Sequence, residues 1–198
     1  EIGAGLRTAI GRVSAPPCAD PRAERALERL RARLAPSGPG SAGLVVLSDA
    51  VTGALALPGG GMLIGRALVE DHETPDVLAG HILAARVRAD AEPPLAPLLR
   101  HAGTVATLRL LTTGELPADV LPAYAEALLV SAPPPPATEP LLAAFASADV
   151  STAPYAYARD VTGETVLPLI EGDPMRGARP EPLLGDGEWV ALQGICGP

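Results

Sequence analysis

Lysine is missing from this sequence of 198 residues, and aromatic side chains make up only 3% of it. The fifteen basic residues are therefore all arginines, and against 23 acidic residues they leave a net charge of −8. A nucleic-acid groove needs a basic stripe, often interleaved with aromatic residues, and this sequence has none. No hydrophobic run reaches the roughly 18–20 residues that a membrane helix requires. We therefore expect neither a nucleic-acid partner nor a membrane span in this chain.

Cysteine is also scarce, and neither Cys18 nor Cys196 belongs to a CxxC motif of the kind that binds zinc or exchanges electrons. A disulfide between them would close almost the whole chain, a stabilisation of roughly 4–5 kcal/mol in the loop-entropy treatment. Two unpaired, buried thiols are the alternative interpretation. Such a disulfide is typical of an oxidising compartment. Because the chain begins at Glu1 and not at Met, we also expect that a preceding segment has been removed.

Two segments have the apolar spacing of amphipathic helices, residues 21–34 and residues 74–90. The second begins with Thr74 followed by proline, the preferred order of a cap and a first helical residue. We expect this helix to bury one face and to direct Arg86 and Arg88 to solvent. Both helices are predicted to pack against a small sheet.

The sheet is predicted over residues 44–65, where short apolar runs alternate with glycine turns in the pattern of an antiparallel hairpin or meander. A second hairpin is predicted over residues 155–170, on either side of the turn sequence DVTGET. The length fits one domain over residues 1–198. The predicted fold is therefore α+β, a mainly helical single domain with a small antiparallel sheet.

The helix over 74–90 carries one histidine, His81, within the sequence HILAA at residues 81–85. Zinc peptidases with the HExxH motif place two histidines one helical turn apart, so that both rings reach one metal. The glutamate between them is the general base that acts on the zinc-bound water. Here Ile82 stands at the position of the base and Ala85 at that of the second ligand. Isoleucine accepts no proton, and alanine cannot coordinate a metal.

The segment ALALPGGGMLIGRALVED followed by DVLAGHILAARVRAD resembles the membrane-associated zinc metallopeptidases of the CAAX-prenyl-endopeptidase and HtpX type. In that family a hairpin containing NAFALPGG precedes a helix containing ELAGVLAHEIAHV. Residues 54–60 match the hairpin turn, and residues 78–81 match the beginning of the metal-binding helix. The family's third ligand is the first glutamate of an E-x-x-A-D segment. Glu115 and Asp119 have that form, ahead of a helix that we expect over residues 117–131.

The resemblance, which extends over residues 44–90 and less closely over 109–130, implies a gluzincin-type metallopeptidase architecture. The positions that correspond to the catalytic site are His81, Ile82, Ala85, Glu115 and Asp119. The residues expected to bind an extended peptide along the 54–64 edge are Leu55, Leu57, Pro58, Gly59, Gly60 and Met62. We therefore expect a catalytically inactive relative, a pseudoenzyme without metal or other cofactor, that binds a peptide or protein partner.

Two further functions stay open. One is an active zinc-dependent peptidase with a non-standard site around His81 and Glu115, for which zinc is the cofactor. The other is a purely structural subunit of the cell envelope. A lone histidine on an apolar helix face also has a simpler interpretation, as a hydrogen-bonded core residue. The candidate disulfide and the family's membrane association favour the bacterial periplasm or envelope, with an anchoring segment ahead of Glu1.

Overall fold

A computed structural model describes residues 2–49, 51–178 and 180–197. Within these residues the chain forms ten helices and three strands. The helices are α1 (Ile2–Val13), α2 (Pro21–Leu34), α3 (Ala67–Glu70), α4 (Pro75–Ala91), α5 (Leu95–Thr113), α6 (Val120–Leu129), α7 (Thr138–Ser147), α8 (Ala153–Arg159), α9 (Leu167–Glu171) and α10 (Asp186–Gln193). The strands are β1 (Leu44–Leu47), β2 (Ala54–Ala56) and β3 (Met62–Gly65). Mainly helical α+β organisation is confirmed, and no helix of the described residues has the length and apolar character to cross a membrane.

The strands form one mixed sheet in the order β1-β3-β2. β2 runs antiparallel to β3, as predicted, with Leu55 opposite Leu63. β1 runs parallel to β3, so the prediction of a wholly antiparallel sheet was wrong for this pair. The chain leaves β1 and crosses the end of β3 to reach the far edge of the sheet. A Cβ at Gly65 would lie 2.0 Å from the carbonyl oxygen of Val51, so the crossing segment depends on glycine there.

Helices cover both faces of the sheet, which is the middle of three layers. Along β2, Ala54 belongs to a core cluster with α2, α4, α7, α8 and α10. Its neighbour Leu55 belongs to a second cluster with α1, α5 and α6. On β3, Ile64 belongs to the first of these clusters and Leu63 to the second. Successive side chains of a strand point to opposite faces, which is why one short sheet supports two cores.

The helices predicted over residues 21–34 and 74–90 are α2 and α4, and each follows a residue whose side chain caps its N-terminus. A carboxylate oxygen of Asp20 accepts hydrogen bonds from the first-turn N–H groups of α2, at 2.8 and 3.0 Å. The hydroxyl oxygen of Thr74 accepts one from the N–H of Asp76, at 3.3 Å, and α4 follows. The helix expected over 117–131 is α6, which is shorter at both ends.

α4 is the central helix of the molecule and is buried around most of its circumference. The prediction that Arg86 and Arg88 point to solvent was therefore wrong. The guanidinium of Arg86 donates to the carbonyl oxygen of Leu34, at the end of α2. That of Arg88 donates to the carbonyl oxygen of Ala54 in β2, at 3.1 Å. The prediction of a single buried face was wrong because alanine and glycine occupy the other faces of α4. These small residues let neighbouring elements pack against it.

The segment 155–170 contains α8 and α9, so the prediction of a second hairpin was wrong. The turn sequence between them does form a turn. The Asp160 carboxylate accepts hydrogen bonds from the N–H and hydroxyl groups of Thr162 and Thr165, at 2.7 to 3.0 Å. These bonds hold the pKa of Asp160 well below its usual range. Prolines in the first turns of α8 and α9 fit helices, which is why the turn joins helices and not strands.

A disulfide joins Cys18 to Cys196, with their Cα atoms 4.8 Å apart. It fastens the segment before α2 to the segment after α10, and these two helices also pack along each other. An ion pair between Arg29 and Glu188, at 2.7 Å, joins the same two helices. The N–H of Cys18 donates to the carbonyl oxygen of Val46, at 3.0 Å. The disulfide-bonded segment therefore lies along the outer edge of β1.

Candidate functional site

A groove runs along the outer edge of β2. It has a volume of about 900 Å³, at the upper end of the range typical of ligand pockets. β2 and the C-terminal half of α4 line one part of it, and α6, α7 and the four prolines at 133–136 line the rest. The lining is mostly alanine, leucine and proline. The sheet therefore presents an edge to an apolar cavity.

The free backbone groups of β2 point into this groove. The carbonyl oxygen of Gly53 accepts a hydrogen bond from the N–H of Gly65, at 2.9 Å, so this residue faces β3. Because backbone groups alternate in direction along a strand, the N–H and C=O groups of Ala54 and Ala56 face outward. Arg88 already donates to the carbonyl oxygen of Ala54. Ala54 is only 2% exposed, so the backbone groups left for a ligand are mainly those of Ala56.

His81 lines a smaller cavity of about 220 Å³, which joins the groove at the beginning of β2. Its ring stands edge-on to the ring of Tyr155 in α8, with the centroids 5.1 Å apart. Gly80 permits this approach, because a Cβ there would lie 2.4 Å from the Cβ of Tyr155. Burial, followed by the charges of His72, Arg88 and Arg159, lowers the pKa of His81 to about 4. The imidazole is therefore neutral at pH 7.

The residues around His81 do not fit the zinc ion that the family resemblance implies. Ile82 is fully buried in the core, and Ala85 contributes a methyl group to the groove. Glu115 is exposed beyond the end of α5, where it pairs with an arginine of that helix at 3.7 Å, and Asp119 precedes α6. Neither carboxylate lines the groove or the smaller cavity. Nowhere in residues 2–49, 51–178 and 180–197 are three or more potential ligands grouped to hold a metal.

The structure separates the residues that were expected to bind a peptide. Leu55 lines the groove and the smaller cavity. Leu57 and Met62 are buried, one in each core. The turn residues are Pro58, Gly59 and Gly60. Pro58 and Gly59 lie against α1, where a Cβ at Gly3 would meet the carbonyl oxygen of Pro58 at 2.0 Å. Gly60 lies against the segment before β1, where its carbonyl oxygen accepts a hydrogen bond from the N–H of Ala42, at 3.0 Å. The strand edge that faces the groove is therefore confined to residues 54–56.

Three contributions to the groove and the smaller cavity were not among the predicted site residues. They are Arg88, Arg159, which lines only the smaller cavity, and the prolines at 133–136. Arg88 follows His81 by seven residues, which is two helical turns, so the sequence did contain a signal for placing both on one side of α4. In the sequence, the prolines indicated only a stiff connection between helices and not a groove wall. Arg159 had no local signal, because α8 brings it to the cavity only through the packing of Tyr155.

No protein-family model matches the chain, and no curated protein matches it either. The likeness to CAAX-prenyl and HtpX-type peptidases remains a hypothesis, based on the residues at 54–60 and 78–81 and on the position of β2 beside α4.

Proposed function

We propose that this protein is a catalytically inactive relative of the zinc metallopeptidases that binds an extended peptide in the groove along β2. The observation that supports it best is the outward-facing edge of β2 beside an apolar cavity of about 900 Å³. An extended peptide adds to such an edge through main-chain hydrogen bonds, and adjacent pockets select its side chains. The proposal includes the gluzincin-type architecture and a place in the bacterial periplasm or envelope, which the disulfide favours.

The groove suits a backbone-directed ligand. Ala56 offers one N–H donor and one free carbonyl oxygen on the open edge, and its side chain is small. Ala54, the next residue whose backbone faces this side, is only 2% exposed. The prolines at 133–136 carry no backbone N–H, so they give the other side of the groove a rigid apolar surface. The ligand is therefore fixed by its main chain on one side and by apolar contacts on the other.

The absence of hydrolysis is proposed from the side chains that replace the HExxH residues. Ile82 has no atom that accepts a proton, and its side chain points into the core and not toward the groove. Ala85 has no metal-binding atom. His81 contacts Tyr155 and has no carboxylate on its cavity wall. A peptide held along β2 would thus lie beside a helix in which the general base and the second metal ligand of the HExxH motif are both replaced.

Strand addition can be tested with Ala56→Pro and its matched control Ala56→Ser. Proline removes the outward N–H of Ala56 and is tolerated where an edge-strand N–H faces solvent, so the fold should persist. Serine keeps the N–H and is nearly as small. Random-sequence decapeptides carrying an N-terminal fluorophore are screened by anisotropy, and the tightest binders are measured with each variant. We expect Ala56→Pro to weaken binding at least about tenfold, the effect of losing a hydrogen bond together with the close approach of the strand, and Ala56→Ser to leave it unchanged.

The bound peptides are then recovered and analysed by mass spectrometry, and the protein by metal analysis. Intact peptides are the expected result. Hydrolysis that a chelator abolishes, together with one zinc ion per chain, would replace this proposal by the active-peptidase alternative. Equal affinities of wild type and Ala56→Pro would reject strand addition. A wild-type protein that binds no peptide of the library would favour the structural-subunit alternative.

A further inference from the structure

The smaller cavity at the beginning of β2 is positively charged. Arg88 and Arg159 both line it, and no aspartate or glutamate does. In the part of the chain that the structure describes, neither arginine takes part in a salt bridge. Arg88 is half-buried, and the guanidinium of Arg159 lies 5.5 Å from the centre of the Tyr155 ring. Two arginines without a carboxylate partner thus meet at one cavity of a protein whose net charge is −8.

The nearest carboxylates lie outside this cavity: Asp90 and Glu92 line the adjoining groove, and Glu92 pairs with Arg100. Burial lowers the pKa of Arg88, Tyr155 acts in the opposite direction, and the positive charge of Arg159 again lowers it. Asp160 directly follows Arg159, but its carboxylate accepts hydrogen bonds from Thr162 and Thr165. An anion that entered the cavity would therefore meet two cationic donors and no aspartate or glutamate on the cavity wall.

The direction of β2 decides which end of a peptide reaches this cavity. A peptide that pairs antiparallel with β2 passes Ala56 first and Ala54 second, and its C-terminus then arrives at the cavity. A parallel peptide would bring its positively charged N-terminus to the arginines. Pairing does not continue past Ala54, because β2 begins there and the chain bends at Thr52 and Gly53. The C-terminus of a peptide bound antiparallel to β2 would therefore lie beside the two guanidinium groups.

We propose that Arg88 and Arg159 form a pocket for the C-terminal carboxylate of a peptide bound antiparallel to β2. The inference rests on the proposed function and narrows its ligand to peptides with a free C-terminus. A guanidinium binds a carboxylate through two parallel N–H donors, which gives both strength and orientation. The bond from Arg88 to the carbonyl oxygen of Ala54 fixes its guanidinium at the edge of β2, and its other N–H groups remain for the ligand.

The test compares each binding decapeptide as the free acid and as the C-terminal amide, with wild type, Arg88→Gln and Arg159→Gln. Hydrogen bonds to charged groups are worth enough for the wild type to prefer the acid by about tenfold or more. Each glutamine variant should bring the ratio of acid to amide affinity close to one. Arg25→Gln, which removes an exposed arginine from α2, is the matched control and should keep the full preference. Circular dichroism checks that every variant is folded.

Several outcomes overturn the carboxylate pocket and leave strand addition standing. One is equal affinity of the acid and the amide for wild type while Ala56→Pro weakens both. Another is a preference for the acid that survives both arginine substitutions. A third is an amide with aspartate as its last residue that binds as tightly as the free acid, since the pocket would then select a side chain. If neither form binds wild type, the proposed function fails as well.

Discussion

At the scale of single residues, His81 couples the stability of the fold to pH. Its imidazole is partly buried against Tyr155 and faces the positive charges of His72, Arg88 and Arg159, and burial is the main reason that its pKa is lowered to about 4. In the unfolded chain the group titrates near its ordinary pKa of about 6.5. Between these values the unfolded chain binds a proton that the folded protein does not. Stability should therefore be lost as the pH falls from about 6.5 to 4, with no contribution from His81 above this window.

The prediction is checked by urea unfolding of wild type and His81→Gln at pH 7.5 and pH 4.5. A pKa lowered from 6.5 to about 4 corresponds to a loss of roughly 3 kcal/mol once the window has been crossed. Glutamine does not titrate, so the decrease in unfolding free energy between the two pH values should be about 2–3 kcal/mol smaller in the variant. Other groups contribute equally to both proteins. Parallel losses in the two proteins would show that His81 is not responsible.

At the scale of elements, the contact of α4 with α8 depends on Gly80. A Cβ at this position would lie 2.4 Å from the Cβ of Tyr155, an atom that cannot move unless α8 moves with it. Alanine favours a helix over glycine by about 0.5–1 kcal/mol, but overpacking of a core costs about 1–3 kcal/mol. We therefore expect Gly80→Ala to lower the free energy of unfolding by about 1–2 kcal/mol.

Gly11→Ala is the control for Gly80→Ala. Gly11 also lies within a helix, α1, and a Cβ there would meet no atom within 4 Å. Only the helix preference remains, so this variant should be more stable than wild type by about 0.5–1 kcal/mol. Urea unfolding at pH 7.5 measures both changes. Shifts of the same sign would show that steric contact with Tyr155 does not decide the outcome at Gly80.

The elements that the sequence could predict are those with local start signals. α2 and α4 begin with an acceptor side chain followed by proline, and both were located within one residue. α1 was not predicted, because three glycines dilute its apolar pattern and it is held by contact with the turn at 58–60. The parallel pairing of β1 with β3 was missed for a related reason. It depends on a crossing over Gly65 that no local pattern reveals.

The candidate site also contains parts that the sequence could predict and parts that depend on tertiary packing. The hairpin motif predicted the antiparallel pair of β2 and β3, and the helix pattern predicted α4 with His81, which lines the smaller cavity together with Leu55. Peptide binding along this edge stays a proposal. The other side of the groove comes from the prolines at 133–136, far along the chain from β2. Arg159 is likewise distant in sequence and arrives with α8. Groups brought together only by tertiary packing have no common spacing in the sequence, so the charge of the cavity could not be predicted.

At the scale of the whole molecule, one covalent bond holds the two ends of the chain together. Cys18 and Cys196 are 178 positions apart, so their disulfide restricts nearly the entire unfolded chain. Loss of a native disulfide typically costs about 2–5 kcal/mol. We expect the double variant Cys18→Ala, Cys196→Ala to lose this much unfolding free energy, measured in urea without reductant. Wild type in excess dithiothreitol should show the same loss, and reductant should have no effect on the variant.

The position of the bond leads to a second expectation about the same variant. The disulfide lies along the outer edge of β1, whereas the groove lies along the opposite edge, β2, with β3 between them. Loss of the bond removes a constraint from the unfolded chain but no atom from the groove. At a temperature where the variant is fully folded, its peptide affinity should therefore equal that of wild type. A weaker affinity under those conditions would mean that the α2–α10 junction helps to position β2, and that the two sheet edges are coupled through β3.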